Sequence, residues 1–305
     1  MIGFLHPVGI ARSVENKSVH ISASRRDATL LIIIEVAFLR NAEICCCAAF
    51  STKRRIPTGC NTILDISNTS LERKRMSQPI NRYLDHAVLV PQMTREEAIA
   101  VIKSGIDHQV KSVCVRPCDI DLAVEMCRGT QTEVSCVLGF PHGTHCTESK
   151  VAEALLYCKK GVTEIDMVAN YGWIRSGLWD EVRADIKAVV DAAHAHKVIV
   201  KVIFETSQLT LEQVAKTTEI CIEAGADFVK TSTGFNGEGA TEEVVACMLN
   251  TANGRIKVKP SGGVRDATKA TMYVEMGVDR LGVNGTSTPA ICDGQANTTG
   301  SQGGY

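Results

Sequence analysis

From Tyr83 onward the chain alternates short apolar runs with stretches in which apolar side chains recur every three or four positions, the pattern of strands followed by amphipathic helices. The predicted strands are Leu84 to Val90, Ser112 to Val115, Val134 to Leu138, Glu164 to Val168, Val198 to Phe204, Phe228 to Lys230, Ile256 to Lys259, and Arg280 to Val283. Between the fourth and fifth, Leu178, Val182, Ile186, Val189 and Ala193 make one apolar stripe, with Asp180, Arg183 and Lys187 off it. Thr94-Arg-Glu-Glu97 and Thr210-Leu-Glu-Gln213 predict capping boxes, in which a hydroxyl and an acidic or amide side chain satisfy the free N–H groups that open a helix. Eight successive βα units imply a parallel sheet and suit an α/β fold of the (β/α)8 TIM barrel type, which as a rule takes about 250 residues. A doubly wound open sheet is the alternative. Against it, no Gly-x-Gly-x-x-Gly follows the first strand, and the chemically suggestive residues end several different strands.

The pattern stops on both sides of residues 76–292. Residues 1–75 carry Cys45-Cys46-Cys47, basic pairs such as Arg25-Arg26, and no sustained period of either kind. The apolar run Ala28 to Leu39 is shorter than the roughly 20 residues a bilayer requires, and Glu35 interrupts it. This unpatterned N-terminal extension is expected to be disordered, or an artefact of a gene model extended upstream of Met76. A basic targeting segment is the alternative, which Glu15, Asp27 and Glu43 disfavour. Residues 293–305, rich in Gly, Ser, Asn, Thr and Gln, are expected to form a flexible C-terminal tail ending in Tyr305.

Composition adds limits more than it adds chemistry. The chain has 305 residues, 45% hydrophobic and 22% charged, which is ordinary for a soluble globular enzyme with a sizeable core. A net charge of −1 supplies no field to attract nucleic acid or an anionic membrane, so phosphate recognition has to be local and the substrate small. The 13 cysteines lack Cys-x-x-Cys spacing and read as reduced core thiols of a cytoplasmic protein. His142, His145 and Cys146 share one loop without a second pair at zinc-site spacing, so no metal is expected.

Two lysines carry the chemistry. Lys230, in Phe-Val-Lys-Thr-Ser-Thr-Gly, and Lys259, in Val-Lys-Pro-Ser-Gly-Gly, each end an apolar strand where a glycine-bearing loop begins. An amine becomes a covalent catalyst when a neighbouring cation in a poorly solvated pocket disfavours its ammonium form, so the pair reads as a Schiff-base nucleophile with an electrostatic helper. Strand-end lysines that merely reach for water are the structural alternative. Asp166 sits on an otherwise apolar strand, where a buried carboxylate demands a cationic partner. Lys201 is a third candidate amine, ranked lower because no glycine turn follows it. Asp85 on the first strand is placed to orient a lysine or a water, with His86 on the opposite face, and Cys114 faces the barrel mouth or simply packs. Gly234, then Gly262-Gly263-Val264-Arg265, then Gly282 to Ser287 offer backbone N–H groups to a phosphate after strands six, seven and eight.

Asp-x-x-Val-Leu at 85–89, Gly-Phe-Pro-His-Gly at 139–143, Glu-Ile-Asp-Met-Val at 164–168, Lys-Thr-Ser-Thr-Gly-Phe at 230–235 and Lys-Pro-Ser-Gly-Gly-Val-Arg at 259–265 together resemble the deoxyribose-phosphate aldolase family. The resemblance runs in order from about residue 80 to 291. It implies a cofactor-free class I aldolase that cleaves 2-deoxy-D-ribose 5-phosphate to D-glyceraldehyde 3-phosphate and acetaldehyde in deoxyribonucleoside catabolism, with a homodimer as the assembly considered. Residue by residue it implies Lys230 as the Schiff-base lysine, Asp166 as proton donor and acceptor, and Lys259 as the lysine that tunes the site. It further implies substrate contacts from Asp85, Thr233, Gly234, Gly262, Gly263, Val264, Arg265, Gly282 and Ser287, and a proton relay through Tyr305. Ala87 departs from the family, which often carries a hydroxyl there. Another class I aldolase, or a catalytically silent barrel that keeps the phosphate pocket, are the competing readings; intact Lys230, Lys259 and Asp166 disfavour the silent barrel.

Overall fold

The structure, a computed structural model, describes residues 76–294. The extension 1–75 and the tail with Tyr305, apart from Asp293 and Gly294, lie outside the described residues. Eight parallel strands run in the order β7-β6-β5-β4-β3-β2-β1-β8: β1 Leu84–Val88, β2 Ser112–Val115, β3 Glu133–Leu138, β4 Glu164–Val168, β5 Ile199–Ile203, β6 Phe228–Lys230, β7 Lys257–Lys259 and β8 Leu281–Asn284. The remaining seam closes between β7 and β8, where Asp279 N–H donates to the Val258 carbonyl at 3.1 Å and Gly282 N–H to that of Pro260 at 2.8 Å. The predicted barrel is therefore present. The apolar runs overshoot β1 and β5 because Leu89 and Phe204 are buried just past the last paired positions, Val88 and Ile203, and hydrophobicity reports burial rather than pairing.

Helices follow the strands: α1 Arg95–Asp107, α2 Ile120–Cys127, α3 Thr147–Lys159, α4 Tyr171–Ser176, α5 Trp179–His194, α6 Leu211–Ala224, α7 Glu242–Ala252, α8 Ala267–Met276 and α9 Thr288–Cys292. Both predicted capping boxes form. Thr94 Oγ1 accepts from Glu97 N–H while Glu97 Oε2 accepts from Thr94 N–H, and Thr210 and Gln213 repeat the exchange ahead of α6. Leu178 corrects the predicted stripe of α5: it precedes the helix as its N-cap and is exposed, whereas Val182, Ile186, Val189 and Ala193 are buried.

Alternation along the strands divides the interior in two. Val113, Val115, Ile165, Met167, Val200, Val202, Val229 and Val283 belong to the large core beneath the helices. Ala87, Leu89, Cys114 and Val137 form a separate small cluster, and Phe140 and Phe235 pack against it. His86 faces outward, as its neighbour Asp85 faces in; its ring meets Thr288 Oγ1 and the Val101 carbonyl, each at 2.8 Å. Cys118 and Cys146 correct the reading of the cysteines as core thiols, because both are exposed in connecting segments. Among the described residues no helix is long and apolar enough to cross a membrane.

Candidate active site

Inward-pointing side chains of β1, β4, β5, β6 and β7, with Arg280 just before β8, meet in one buried charge cluster. Asp166 projects from β4 and its Oδ2 accepts from both Lys230 Nζ at 2.8 Å and Lys259 Nζ at 2.6 Å. Its Oδ1 accepts from Lys201 Nζ at 2.9 Å. Asp85 on β1 takes Lys259 at 2.5 Å and Lys201 at 3.1 Å on Oδ2, and Arg280 at 2.6 Å and Ser112 Oγ at 2.7 Å on Oδ1. The Asp85 to Lys201 contact joins β1 to β5 directly across the barrel, so side chains fill the interior.

Below this layer, Glu164 holds Lys201 on Oε2 and takes both guanidinium nitrogens of Arg280, at 3.0 and 3.1 Å. Phe228 floors the cluster, with the Arg280 guanidinium 5.4 Å and the Lys201 amine 6.0 Å from its ring centre.

The electrostatics separate the three amines. Lys201, Lys230, Lys259 and Arg280 face Asp85, Glu164 and Asp166, so four cations oppose three carboxylates. Burial disfavours the Lys201 ammonium, but Asp166, Asp85 and Glu164 together overcome that and hold this amine protonated, well above the ordinary lysine range. Lys259 is shared between Asp85 and Asp166. Lys230 meets Asp166 alone among the carboxylates of this cluster. Burial alone would raise Asp166, yet Lys201, Lys230 and Lys259 drive it far below the usual carboxylate range, so it stands ionised. Asp85 is lowered in the same way by Arg280, Lys201 and Lys259.

Cys114 reaches the interior, where burial and then the Asp166 charge push its thiol up and keep it protonated. The Phe140 and Phe235 rings meet edge to face at 5.2 Å over this apolar side. Ala87 lies in the same cluster, so the hydroxyl missing at that position is replaced by apolar lining.

The predicted phosphate residues fall into distinct roles. Gly234 and Gly262 take positive φ of 83° and 85°, and a Cβ on Gly262 would lie 3.8 Å from Gly234 Cα, so the turns after β6 and β7 are in contact. Gly263 is exposed beside the Lys269 amine, Val264 is buried, and Arg265 follows half-buried. Ser287 is buried at the N-cap of α9. Gly282 commits its N–H to Pro260, and its contribution is space: a Cβ there would lie 2.4 Å from Ser261 Oγ and 3.3 Å from Lys259 Cε. Thr233 is engaged too, because its N–H and hydroxyl both donate to Glu205 and its hydroxyl accepts from Phe235 N–H.

Glu164, Arg280 and Ser112 in the cluster and Glu205 beside the turn after β6 were passed over by the sequence reading. Glu164 was detectable, since it stands two positions before Asp166 and period 2 puts both on one face.

An eight-stranded barrel with a lysine-rich charge cluster at its strand ends defines an aldolase-like site, and comparison with known proteins agrees. The model of the DeoC/LacD family aldolases matches residues 80–288. A deoxyribose-phosphate aldolase of Mannheimia succiniciproducens is 42% identical over 207 residues, covering 68% of this chain and 92% of that protein. One of Caldanaerobacter subterraneus is 43% identical over 215 residues, covering 70% and 93%. Among solved structures, a putative deoxyribose-phosphate aldolase from Coccidioides immitis superposes with a TM-score of 0.67 at 37% identity, covering 70% of this chain and 85% of that one. The deoxyribose phosphate aldolase of Aeropyrum pernix, described as a unique tetrameric structure, gives 0.65 at 25% identity, covering 70% and 89%. The chain belongs to the DeoC/LacD family of aldolases, and as an aldolase it is a lyase.

Proposed function

We propose that the protein is a deoxyribose-phosphate aldolase working through a Schiff base on Lys230, and the observation that carries this is the Asp166 carboxylate shared by Lys230 and Lys259. The Lys230 amine attacks the aldehyde carbon of open-chain 2-deoxyribose 5-phosphate, and the carbinolamine loses water to an iminium. Removal of the C3 hydroxyl proton then breaks the C2–C3 bond, with its electron pair drawn into the iminium to leave an enamine. Glyceraldehyde 3-phosphate departs, the enamine takes a proton at C2, and hydrolysis returns acetaldehyde and the free amine.

Asp166 is the proton carrier of this reading, acting with a water; its ionised state suits it to accept first and donate afterwards. Lys259 is the cation that keeps Asp166 and Lys230 in register. Gly234, Gly262, Gly263, Val264, Arg265 and the turn ending at Ser287 receive the phosphate, whose binding energy orients the reacting carbons far from it. The small apolar cluster beside Cys114 and Ala87 takes the acetaldehyde methyl group. A cytoplasmic homodimer completes the proposal, with Tyr305 as a proton relay to the enamine carbon and residues 1–75 dispensable.

Deoxyribose 5-phosphate cleavage, followed by separate assays for the two aldehydes, tests the reading. Equimolar products are expected; cleavage of other sugar phosphates but not this one would reject the substrate. Tyr305→Phe is expected to slow solvent-deuterium exchange into acetaldehyde, and a chain beginning at Met76 to keep full turnover.

A further inference from the structure

We infer that Glu205 is the positioning residue of the loop Lys230 to Phe235, gripping Thr233 so that Gly234 is presented to the substrate and Phe235 closes the apolar side of the mouth. Glu205 directly follows the apolar stretch that ends β5, and its side chain is fully buried. Its backbone stands at φ 58° and ψ 63°, a left-handed conformation that side chains other than glycine, asparagine or aspartate rarely adopt and that persists where surrounding contacts hold it. Its carbonyl accepts the Gln208 N–H at 2.9 Å, and its side-chain hydrogen bonds are all with Thr233. Oε1 accepts the Thr233 N–H at 3.3 Å and Oε2 accepts the Thr233 hydroxyl, which in turn accepts the Phe235 N–H at 3.1 Å.

The grip is reinforced on both sides. Thr206 N–H donates to the Thr231 carbonyl at 3.0 Å, and Ser207 Oγ donates to the Asn236 carbonyl at 2.8 Å. Burial pushes the Glu205 carboxyl up from the ordinary glutamate range, while the Thr233 hydrogen bonds and the nearby Lys230 and His142 charges pull it down. The Thr233 N–H needs an acceptor oxygen, whereas the Thr233 hydroxyl can donate to a carboxylate or accept from a protonated carboxyl or from a glutamine amide, so alanine at 205 removes both bonds and glutamine keeps a weaker version of each. Glu205 thus ties the turn at Gly234, which follows the strand end carrying Lys230, to the end of β5, without touching the reacting carbons itself.

The inference rests on the Schiff-base reading, so the test carries its own control. Glu205→Ala, Glu205→Gln and Thr233→Val are compared with wild type in two assays: KM for deoxyribose 5-phosphate relative to KM for unphosphorylated 2-deoxyribose, and the rate of borohydride trapping of acetaldehyde. Loss of these buried hydrogen bonds predicts that the KM ratio rises roughly tenfold in Glu205→Ala and Thr233→Val, and less in Glu205→Gln. Trapping is expected to stay within about threefold of wild type, and Glu205→Ala/Thr233→Val to be no worse than the more affected single variant, since both changes break one interaction. An unchanged KM ratio in both Glu205→Ala and Thr233→Val overturns the inference, as does a fall of trapping in parallel with thermal stability and with equal rises in KM for both sugars. If the Glu205 variants do not fold, Thr233→Val decides between these outcomes. Failure of the wild-type protein to be trapped at all refutes the Schiff-base reading instead.

Discussion

Lys230 and Lys259 reach the same oxygen, Oδ2 of Asp166, from adjacent strands β6 and β7 that pair residue for residue at these positions. The register Lys230↔Lys259 places two amines side by side, and the β4↔β5 register Asp166↔Lys201 sets a third at the other carboxylate oxygen. What distinguishes the three is the company of carboxylates. Lys201 is enclosed by Glu164, Asp166 and Asp85, a setting for a permanent cation, whereas Lys230 lies at the side of the cluster.

Lys201 is therefore expected to be structural. Lys201→Met would leave Glu164, Asp166 and Asp85 short of a buried cation, and breaking a buried pair in this way costs about 3–5 kcal/mol. The urea midpoint is expected to fall accordingly, while reductive labelling of Lys230 persists in the folded fraction. A midpoint unchanged from wild type would show that the cluster does not need this charge.

Gly282→Ala is expected to disturb catalysis through packing. The added Cβ would lie 2.4 Å from Ser261 Oγ and 3.3 Å from Lys259 Cε, at the seam that closes the barrel. Overpacking of this kind costs about 1–3 kcal/mol, and the displaced amine should lower kcat more than it raises KM. Steady-state kinetics beside a denaturation curve would separate the two effects.

His86 gives stability a defined pH dependence. Burial between Thr288 and the Val101 carbonyl lowers its pKa from 6.5 to about 4, against the raising effect of the Val101 hydrogen bond. The unfolded chain therefore binds a proton between these values that the folded chain does not. Stability attributable to His86 is fully present above about 6.5 and declines as pH falls toward about 4, by on the order of 3 kcal/mol. Denaturation midpoints across this window should slope less steeply in His86→Gln by about one proton.

The barrel was legible because its strands are short runs buried on both faces and apolar at most positions, and because capping boxes such as Thr94 with Glu97 mark helix starts directly. Lys230 and Lys259 were legible because each ends such a run shortly before a glycine-bearing loop. Arg280 was not: it opens the predicted eighth strand, immediately precedes β8 in the fold, and its inward course toward Glu164 depends on barrel closure. Glu205 was hidden for a related reason, since Glu-Thr-Ser-Gln after β5 reads as a polar loop, and its burial comes from the neighbouring strand end at Thr233. Leu178 erred in the opposite direction, an apolar residue in phase with a helix that begins one residue later.

Borohydride reduction in the presence of acetaldehyde, followed by peptide mapping, tests the central claim most directly. The account predicts a single ethyl-modified lysine, Lys230, and no label in Lys230→Ala. Label on Lys201 or Lys259 of the wild-type protein would contradict it.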